Sequence, residues 1–169
     1  ILLISPPFYR LMGSHYNGMH LGLSYIAALL RQQTYQVKIY NADASSDHNY
    51  LNQREMFTNF KHYKEVLNDL SSPIWREIQA VIESYNPDFI GLQMHTGTFK
   101  SVQNIATIAK SYNPQIKIVI GGTHPTLDPI GTILSGNYDY VVSGEGEFTF
   151  LEILQGKAID TIAGLTYMD

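Results

Sequence analysis

The chain has 169 residues, of which 44% are hydrophobic and 15% charged, and its formal net charge is −4. This composition is typical of a globular domain with an apolar core rather than of a disordered chain. Cysteine is absent, which excludes disulfides, thiolate nucleophiles, iron–sulfur clusters and thiolate zinc sites within this chain. We expect no nucleic-acid partner, because no dense block of Lys and Arg is present. We also expect no membrane span, because the apolar runs are far shorter than about 20 residues.

The chain opens with Ile1-Leu2-Leu3-Ile4 rather than with Met, and these residues read as part of a core strand. We therefore expect the chain to be a piece of a longer protein. No signal peptide precedes this strand, so the cytoplasm is the expected location.

Short apolar runs alternate with helical patterns along the chain, which is typical of a parallel sheet with crossover helices. The predicted strands are Ile1–Ser5, Gln36–Asn41, Asp88–Met94, Lys117–Gly121 and Tyr138–Ser143, and Ile162–Tyr167 is predicted as a sixth strand or an edge segment. We predict an α/β fold with three α/β/α layers around a five-stranded parallel sheet of flavodoxin-like order 2-1-3-4-5.

Helices are predicted where apolar residues recur every three or four positions. Such stripes begin at Leu23, Trp75 and Phe99. The second stripe ends ahead of Pro87, where a proline forces the preceding residue into an extended conformation. A last helix follows Gly144-Glu145-Gly146-Glu147 and carries Phe148, Phe150, Leu151 and Leu154.

Residues 43–72 do not fit this alternation and are predicted to form a helical insertion after the second strand. Ala44-Ser45-Ser46-Asp47 is a predicted loop, and a polar helix from Tyr50 to Leu70 carries Met56, Phe60, Tyr63 and Leu67 on one side. The insertion could cover a ligand, contact another domain or form a solvated surface helix. The sequence leaves these alternatives open.

Ligands of open α/β sheets bind beyond the carboxyl ends of the strands, where the strand order reverses. Four loops are predicted there, at residues 5–18, 93–99, 121–126 and 143–147. Gly121-Gly122 either lets a ligand approach the sheet edge or forms a tight turn. Glu145 and Glu147 suit the first turn of a helix and would repel a phosphate. The sequence has neither a P-loop nor a dinucleotide fingerprint.

His95 and His124 follow the third and fourth predicted strands and could face one pocket. No carboxylate stands at a spacing that would complete a metal site with them. We interpret each as a hydrogen-bonded loop residue. No nucleophile stands beside a base, so we predict neither catalytic residues nor metal ligands in this chain.

Five motifs occur in the order and spacing of a known family. They are Ser5-Pro6-Pro7, the helical run Leu21–Leu30, Pro87–Leu92 with Thr96, Gly121–Thr126 and Asp139–Glu147. Together they resemble the N-terminal cobalamin (B12)-binding domain of B12-dependent radical S-adenosylmethionine enzymes. That family includes methyltransferases and the anaerobic cyclases of magnesium-protoporphyrin IX monomethyl ester. The resemblance covers nearly the whole chain.

The resemblance implies that residues 1–169 form a single domain that holds a corrinoid at the C-terminal edge of its sheet. It also implies a radical S-adenosylmethionine domain farther along the whole protein, with S-adenosylmethionine and a 4Fe-4S cluster bound there. The expected reaction is methyl transfer or oxidative cyclisation, including that of a tetrapyrrole, and the domain is not expected to be catalytic alone. The residues that the resemblance places at the cofactor are Pro6, Pro7, Thr96, Gly121, Gly122, Thr123, His124, Ser143, Gly144 and Glu145.

Within this set, Gly121 and Gly122 would make room for the nucleotide tail of the cofactor. The side chains of Thr96, Thr123, His124 and Ser143 would supply hydrogen bonds.

Two positions depart from the B12 domains of methionine synthase and the mutases. Those domains use Asp-x-His-x-x-Gly, and its histidine ligates cobalt, whereas here Gly13 replaces the aspartate ahead of His15. Because a metal-bound histidine usually needs a partner on its second ring nitrogen, we expect no histidine of this domain on cobalt. Gln93 stands where those domains place a serine that contacts the nucleotide tail, which leaves Thr96 as the hydroxyl candidate.

A different hypothesis is a non-catalytic flavodoxin-like module that binds a flavin or a protein partner. A receiver domain is largely excluded, because it needs acidic residues where Ser5-Pro6-Pro7 and Gln93-Met94-His95 stand. A flavin would use the same edge of the sheet as a corrinoid.

Overall fold

The computed structural model describes residues 1–46 and 50–168. Its strands are β1 (Leu2–Ser5), β2 (Lys38–Asn41), β3 (Phe89–Gln93), β4 (Lys117–Gly121), β5 (Tyr140–Val142) and β6 (Leu165–Tyr167). Its α-helices are α1 (Leu21–Gln32), α2 (Gln53–Thr58), α3 (Phe60–Asn68), α4 (Pro73–Tyr85), α5 (Phe99–Tyr112), α6 (Thr123–Leu127), α7 (Pro129–Leu134) and α8 (Glu147–Leu154). Short 3₁₀ turns cover Arg10–Met12, Thr96–Thr98 and Ile159–Thr161.

The strands form one sheet in the order β2-β1-β3-β4-β5-β6. The first five strands are parallel, and β6 pairs antiparallel with β5. The predicted order 2-1-3-4-5 is confirmed, and the segment Ile162–Tyr167 provides an antiparallel edge strand. The order reverses between β1 and β3, so the loops after these two strands lie side by side at the carboxyl edge.

Helices cover both faces of the sheet, which confirms the predicted three layers. On one face α1 and α8 bury Leu23, Leu30 and Phe150 against Leu3 and Val119 of the strands. On the other face α4 and α5 bury their apolar stripes, Trp75, Ile78 and Ile82 from α4 and Val102, Ile105 and Ala106 from α5. Successive residues of a strand point to opposite faces, so each strand contributes to both cores.

The insertion forms two short helices rather than the single predicted one. Asn52 and Glu55 form a capping box at the start of α2, and the helical conformation is interrupted at Asn59 before α3 begins. The Asn59 side chain donates to the carbonyl of Met12 (2.9 Å), which ties the break to the β1–α1 loop. Residues 47–49, which include Asp47 of the predicted loop, lie outside the described residues.

The β1–α1 loop is also held by residues that follow β2. One carboxylate oxygen of Asp43, which is buried, accepts from the backbone amides of Phe8 (2.9 Å) and Arg10 (2.8 Å). The Arg10 guanidinium donates to both carboxylate oxygens of Glu77 in α4 (3.0 and 2.7 Å). These hydrogen bonds from Arg10 hold the pKa of Glu77 below its ordinary value.

An ion-pair network stabilises the start of β4. Asp139 accepts from the ammonium groups of Lys110 (2.7 Å) and Lys117 (2.9 Å) and from the backbone amide of Ile118 (2.9 Å). Burial by itself would raise the pKa of Asp139, but the hydrogen bonds from the two lysines outweigh it and lower that pKa. The network lies at the amino end of β4, away from the carboxyl edge of the sheet.

Candidate functional site

A cavity of about 520 Å³ opens at the carboxyl edge of the sheet, on the face that α1 and α8 cover. Its walls come from Leu23 and Ile26 of α1 and Phe150 of α8, and its floor comes from β1, β3, β4 and β5. Most of the described residues that line it are glycine or apolar. The volume lies within the range of small-molecule sites, about 300–1,000 Å³, and the lining suits a flat apolar group.

The floor is open because glycine stands where a side chain would fill the space. Gly91 on β3 lies beside Val119 on β4, and Gln93 lies beside Gly121 in the next row towards the carboxyl edge. At Gly91 the side chains of Leu3 and Phe150 occupy the place of a Cβ atom (2.6 and 2.9 Å from it). At Gly121 no described atom beyond its chain neighbours lies within 4 Å of that place. Gly121 therefore leaves the floor of the cavity free.

The structural requirement for glycine at position 122 differs from that at position 121. Its φ is +121° and its ψ −168°, a backbone conformation that is essentially restricted to glycine. A Cβ atom here would lie 2.6 Å from the carbonyl oxygen of Met94. Gly122 thus allows the chain to turn from β4 into α6 against the backbone that follows β3. Of the two interpretations that the sequence left open, the tight turn describes Gly122, while the approach of a ligand at Gly121 stays a prediction.

Four side chains join the loops after β3 and β4. His95 Nδ1 lies 2.8 Å from the hydroxyl of Thr123, and His124 Nδ1 lies 3.1 Å from the hydroxyl of Thr96. The rings of Phe99 and His124 also meet edge to face, 5.0 Å apart. His95 and Thr123 line the cavity, whereas Thr96 and His124 do not. Both histidines are hydrogen-bonded, as the sequence analysis interpreted them, but only His95 is a loop residue, since His124 lies in the first turn of α6.

Among the remaining residues expected at the cofactor, Gly144 and Glu145 line the cavity, and Pro6, Pro7 and Ser143 do not. Pro6 and Pro7 are buried, and the Pro7 carbonyl accepts from the hydroxyl of Ser101 (2.9 Å).

The hydroxyl of Ser143 donates to the carbonyl of Pro125 (3.4 Å), so it is engaged within the protein. The structure therefore brings five of the expected residues to the cavity, namely Gly121, Gly122, Thr123, Gly144 and Glu145.

The charge around the cavity is negative. Glu145 and Glu147 line it, and no Lys or Arg stands among its described lining residues. A phosphate dianion placed there would be repelled by the two carboxylates without a compensating cation. This agrees with the sequence analysis, which argued against a phosphate at the start of α8.

No metal centre is evident in residues 1–46 and 50–168, where no group of three or more His, Asp or Glu side chains could hold an ion. His15 is only 5% exposed, and its ring packs 4.2 Å from the ring of Tyr50, centroid to centroid. Its Nε2 atom is buried without a hydrogen-bond partner. In this conformation His15 has no access to a ligand at the carboxyl edge.

Several lining residues were not identified from the sequence. They include Gly22 and Ile26 on α1, Phe150 on α8, and Thr126 and Leu127 on α6. Gly22 stands four positions before Ile26 and therefore on the same face of α1. A glycine at that position of an apolar helix face was the available signal. The short helix α6 carried no periodic signal that would have predicted it.

The structure also shows where the insertion lies. No described residue of 43–72 lines the cavity. Instead α3 packs beside the β1–α1 loop, where the ring of Tyr63 meets Phe8 (6.0 Å between centroids).

Sequence comparison places the chain among known proteins. The profile described as "B12 binding domain" matches residues 13–154, which is most of the chain. The chain belongs to the B12-binding domain family. An uncharacterised methyltransferase of Pyrococcus horikoshii is 30% identical over 100% of this chain and 32% of its own length. Cytidylyl-2-hydroxyethylphosphonate methyltransferase of Streptomyces wedmorensis is 30% identical over 88% of this chain and 27% of its own length. The chain thus spans about a third or less of these relatives.

Solved structures share the fold. The radical S-adenosylmethionine methyltransferase TsrM of Kitasatospora setae, solved with tryptophan and an S-adenosylmethionine analogue, superposes with a TM-score of 0.67 at 15% identity. That alignment covers 98% of this chain and 28% of TsrM. The cobalamin-dependent S-adenosylmethionine radical enzyme OxsB, solved with aqua-cobalamin, gives 0.69 at 17% identity, over 99% of this chain and 20% of OxsB. In the described parts of the chain, no helix is both long and apolar enough to cross a bilayer.

Proposed function

We propose that this chain binds cobalamin with the dimethylbenzimidazole base withdrawn from cobalt and buried in the cavity between the sheet and α1. The observation that carries the proposal is the open floor at Gly121, at the bottom of a largely apolar cavity of about 520 Å³. Transfer of a flat aromatic ring from water into an apolar cavity is favourable, because apolar surface of both the ring and the cavity is buried. Membership of the B12-binding domain family supports the same ligand.

The residues of the proposed site divide into those that hold the nucleotide tail of cobalamin and those that shape the carboxyl edge of the sheet. Gly121 and Gly144 leave space, and the walls of α1 and α8 exclude water from the buried ring. The paired side chains of His95 with Thr123 and Thr96 with His124 fix the two loops at the mouth. In this proposal Pro7 and Ser143 act by holding neighbouring elements, since the Pro7 carbonyl accepts from Ser101 of α5 and the Ser143 hydroxyl donates to Pro125 of α6. Pro6 is buried beside Pro7 and does not line the cavity.

When bound, cobalamin supplies a cobalt centre that can carry a methyl group, and the protein supplies binding and orientation. We expect no cobalt ligand from His15, because its ring is buried against Tyr50.

For the whole protein we propose a B12-dependent radical S-adenosylmethionine enzyme in which residues 1–169 are the cobalamin domain. S-adenosylmethionine and a 4Fe-4S cluster would bind in a separate domain of the longer protein. Both relatives named above are methyltransferases, so methyl transfer is proposed ahead of cyclisation. Cytoplasmic location and the absence of a nucleic-acid partner stay predictions, to be checked by cell fractionation and by an electrophoretic shift assay.

The direct test is to add hydroxocobalamin to the purified chain, remove free cofactor by desalting and record the absorption spectrum. We expect retained cobalamin with the spectrum of the form in which the lower base has left cobalt. A parallel sample with FMN tests the flavin hypothesis, for which the negative mouth at Glu145 and Glu147 is unfavourable. Retention of FMN without cobalamin would overturn the proposal.

A further inference from the structure

The β1–α1 loop contains the single Asn-Gly pair of the sequence, Asn17-Gly18. Glycine has no side chain to shield its backbone nitrogen, so this nitrogen can approach the side chain of the preceding asparagine. Asn17 is exposed, and Gly18 is half-buried. The pair is therefore accessible to water and is not sterically blocked from reacting with itself.

The Asn17 side chain joins the loop to the segment after β2. Its Nδ2 atom donates to the carbonyl of Ser45 (2.9 Å), and its Oδ1 atom accepts from the amide of Ser45 (3.0 Å). One residue earlier, the Tyr16 amide donates to the carbonyl of Asp43 (2.8 Å), and Asn41 Nδ2 donates to the carbonyl of Tyr16 (2.8 Å). We call the two hydrogen bonds between Asn17 and Ser45 the clasp, because they complete this connection between the two segments.

Glycine at position 18 is required by the ring of Tyr16. That ring occupies the place that a Cβ atom of residue 18 would take. The Gly18 amide donates to no atom of the described residues, so its nitrogen is not held by a hydrogen bond. The packing of the loop thus places an unprotected amide nitrogen directly after Asn17.

The clasp also polarises the carbon atom that this nitrogen would attack. Negative charge develops on Oδ1 when a nucleophile adds to Cγ of Asn17. The Ser45 amide already donates to Oδ1, and backbone donors fixed in this way stabilise such an oxyanion. The folded loop should therefore favour addition to Cγ rather than prevent it.

We propose that Asn17 is a site of spontaneous deamidation, and that the reaction opens the clasp. The Gly18 amide nitrogen gives up its proton to solvent and bonds to Cγ of Asn17. The bond from Cγ to Nδ2 breaks, and Nδ2 leaves as ammonia after taking a proton from water. Water then adds to either carbonyl of the cyclic imide and opens it, which leaves aspartate or isoaspartate at position 17. One water replaces one ammonia, and nothing is oxidised or reduced.

Either product carries a carboxylate where the amide stood. A carboxylate has no N–H to donate, and its negative charge would face the carbonyl oxygen of Ser45. Isoaspartate also lengthens the main chain by one methylene. The clasp should therefore be lost, and the loop should open more often. This release is slow and irreversible, and it does not depend on which ligand the carboxyl edge takes.

Mass spectrometry follows the reaction at this one position. Trypsin cleaves after Arg10 and Arg31 and gives the peptide Leu11–Arg31, in which Asn17 is the only side-chain amide. The purified chain is incubated at mildly alkaline pH, both folded and in urea, and digested at intervals. We expect this peptide to gain about 1 Da and to separate into two products of that mass. In the folded chain the rate should be within about tenfold of the rate in urea.

Two controls isolate the Asn-Gly pair. Asn52 is also exposed and its Oδ1 also accepts from a backbone amide, that of Glu55 (3.0 Å), but the residue that follows is Gln53. Asn52 should stay unmodified over the same period. Asn17→Gln keeps a side-chain amide and should show no gain in mass, because the larger ring closes far more slowly. Asn17→Asp reproduces one product directly, and in it the Tyr16 amide should exchange hydrogen about tenfold faster than in the unmodified chain.

A folded-state rate more than about tenfold below the rate in urea would overturn the inference, because the clasp would then protect Asn17. Modification of Asn52 at the same rate as Asn17 would overturn it too, because glycine would then not be the cause. Unchanged exchange at Tyr16 in Asn17→Asp would show that the clasp does not hold the loop, and the proposed release would be wrong.

Discussion

Substituting valine for each of two neighbouring glycines should separate ligand binding from folding. In Gly121→Val the new side chain enters the open floor of the cavity, and the backbone at Gly121 is not in the left-handed region. In Gly122→Val the side chain meets the Met94 carbonyl oxygen 2.6 Å from its Cβ, at a φ of +121°. The first variant should therefore fold and fail to hold cobalamin, and the second should lose stability.

The size of each effect follows from these contacts. Valine adds three carbon atoms to the space proposed for the buried ring. Forcing extra methylene-sized groups into a packed site costs about 1–3 kcal/mol, which corresponds to roughly a 5- to 150-fold weaker Kd. The free energy of unfolding of Gly121→Val should change by no more than about 0.5 kcal/mol, because no described neighbour is displaced. For Gly122→Val, backbone strain alone costs about 1–3 kcal/mol, and the clash with Met94 adds to it.

Two measurements on the same samples test this reasoning. Urea unfolding followed by circular dichroism gives the free energy of unfolding, and an absorbance titration with hydroxocobalamin gives the Kd. If Gly121→Val bound cobalamin with unchanged Kd, the tail would not occupy this floor. If Gly122→Val were as stable as the unmodified chain, the argument from its backbone conformation would be wrong.

Three further predictions concern residues outside the cavity. With cobalamin bound and reduced to Co(II), the electron paramagnetic resonance spectrum should show no nitrogen splitting from His15; a splitting that vanishes in His15→Ala would contradict this. Asp43→Ala should lower the free energy of unfolding by about 2 kcal/mol, because the amides of Phe8 and Arg10 lose their buried acceptor; an unchanged urea midpoint would refute it. Asp139→Asn should cost about 2 kcal/mol at pH 7. Because the folded-state pKa of Asp139 is lowered, its stabilisation is present above its unfolded pKa of about 3.9 and is lost as the pH falls through the lower, folded-state value. The difference from the unmodified chain should therefore shrink in acid, and a pH-independent difference would contradict the ionic explanation.

Much of the architecture could be predicted because it follows from local patterns. Continuous apolar runs such as Ile118–Ile120, which is buried throughout, are typical of strands covered on both faces, which favours a parallel sheet with helices on each side. The ends of the five predicted strands lie within one or two residues of the ends of the observed strands β1–β5. The differences arise because a strand ends where its pairing with a neighbour stops. The prediction of one helix from Tyr50 to Leu70 missed the interruption at Asn59, where the side chain hydrogen-bonds to Met12, 47 positions away in the chain.

The sequence alone determined the class of the fold, the loops at the carboxyl edge and the resemblance to B12-binding domains, because these depend on residue type and order. Tertiary structure decided which residues face the cavity. Gly121 and Gly122 are chemically identical and adjacent in the chain, yet one leaves open space and the other lies against the backbone of Met94. Thr96 and His124 bond to each other rather than standing free, and Gln93 is left without a partner at the floor. These differences arise because the direction of a side chain and the identity of its neighbours are fixed only when distant strands pair in register.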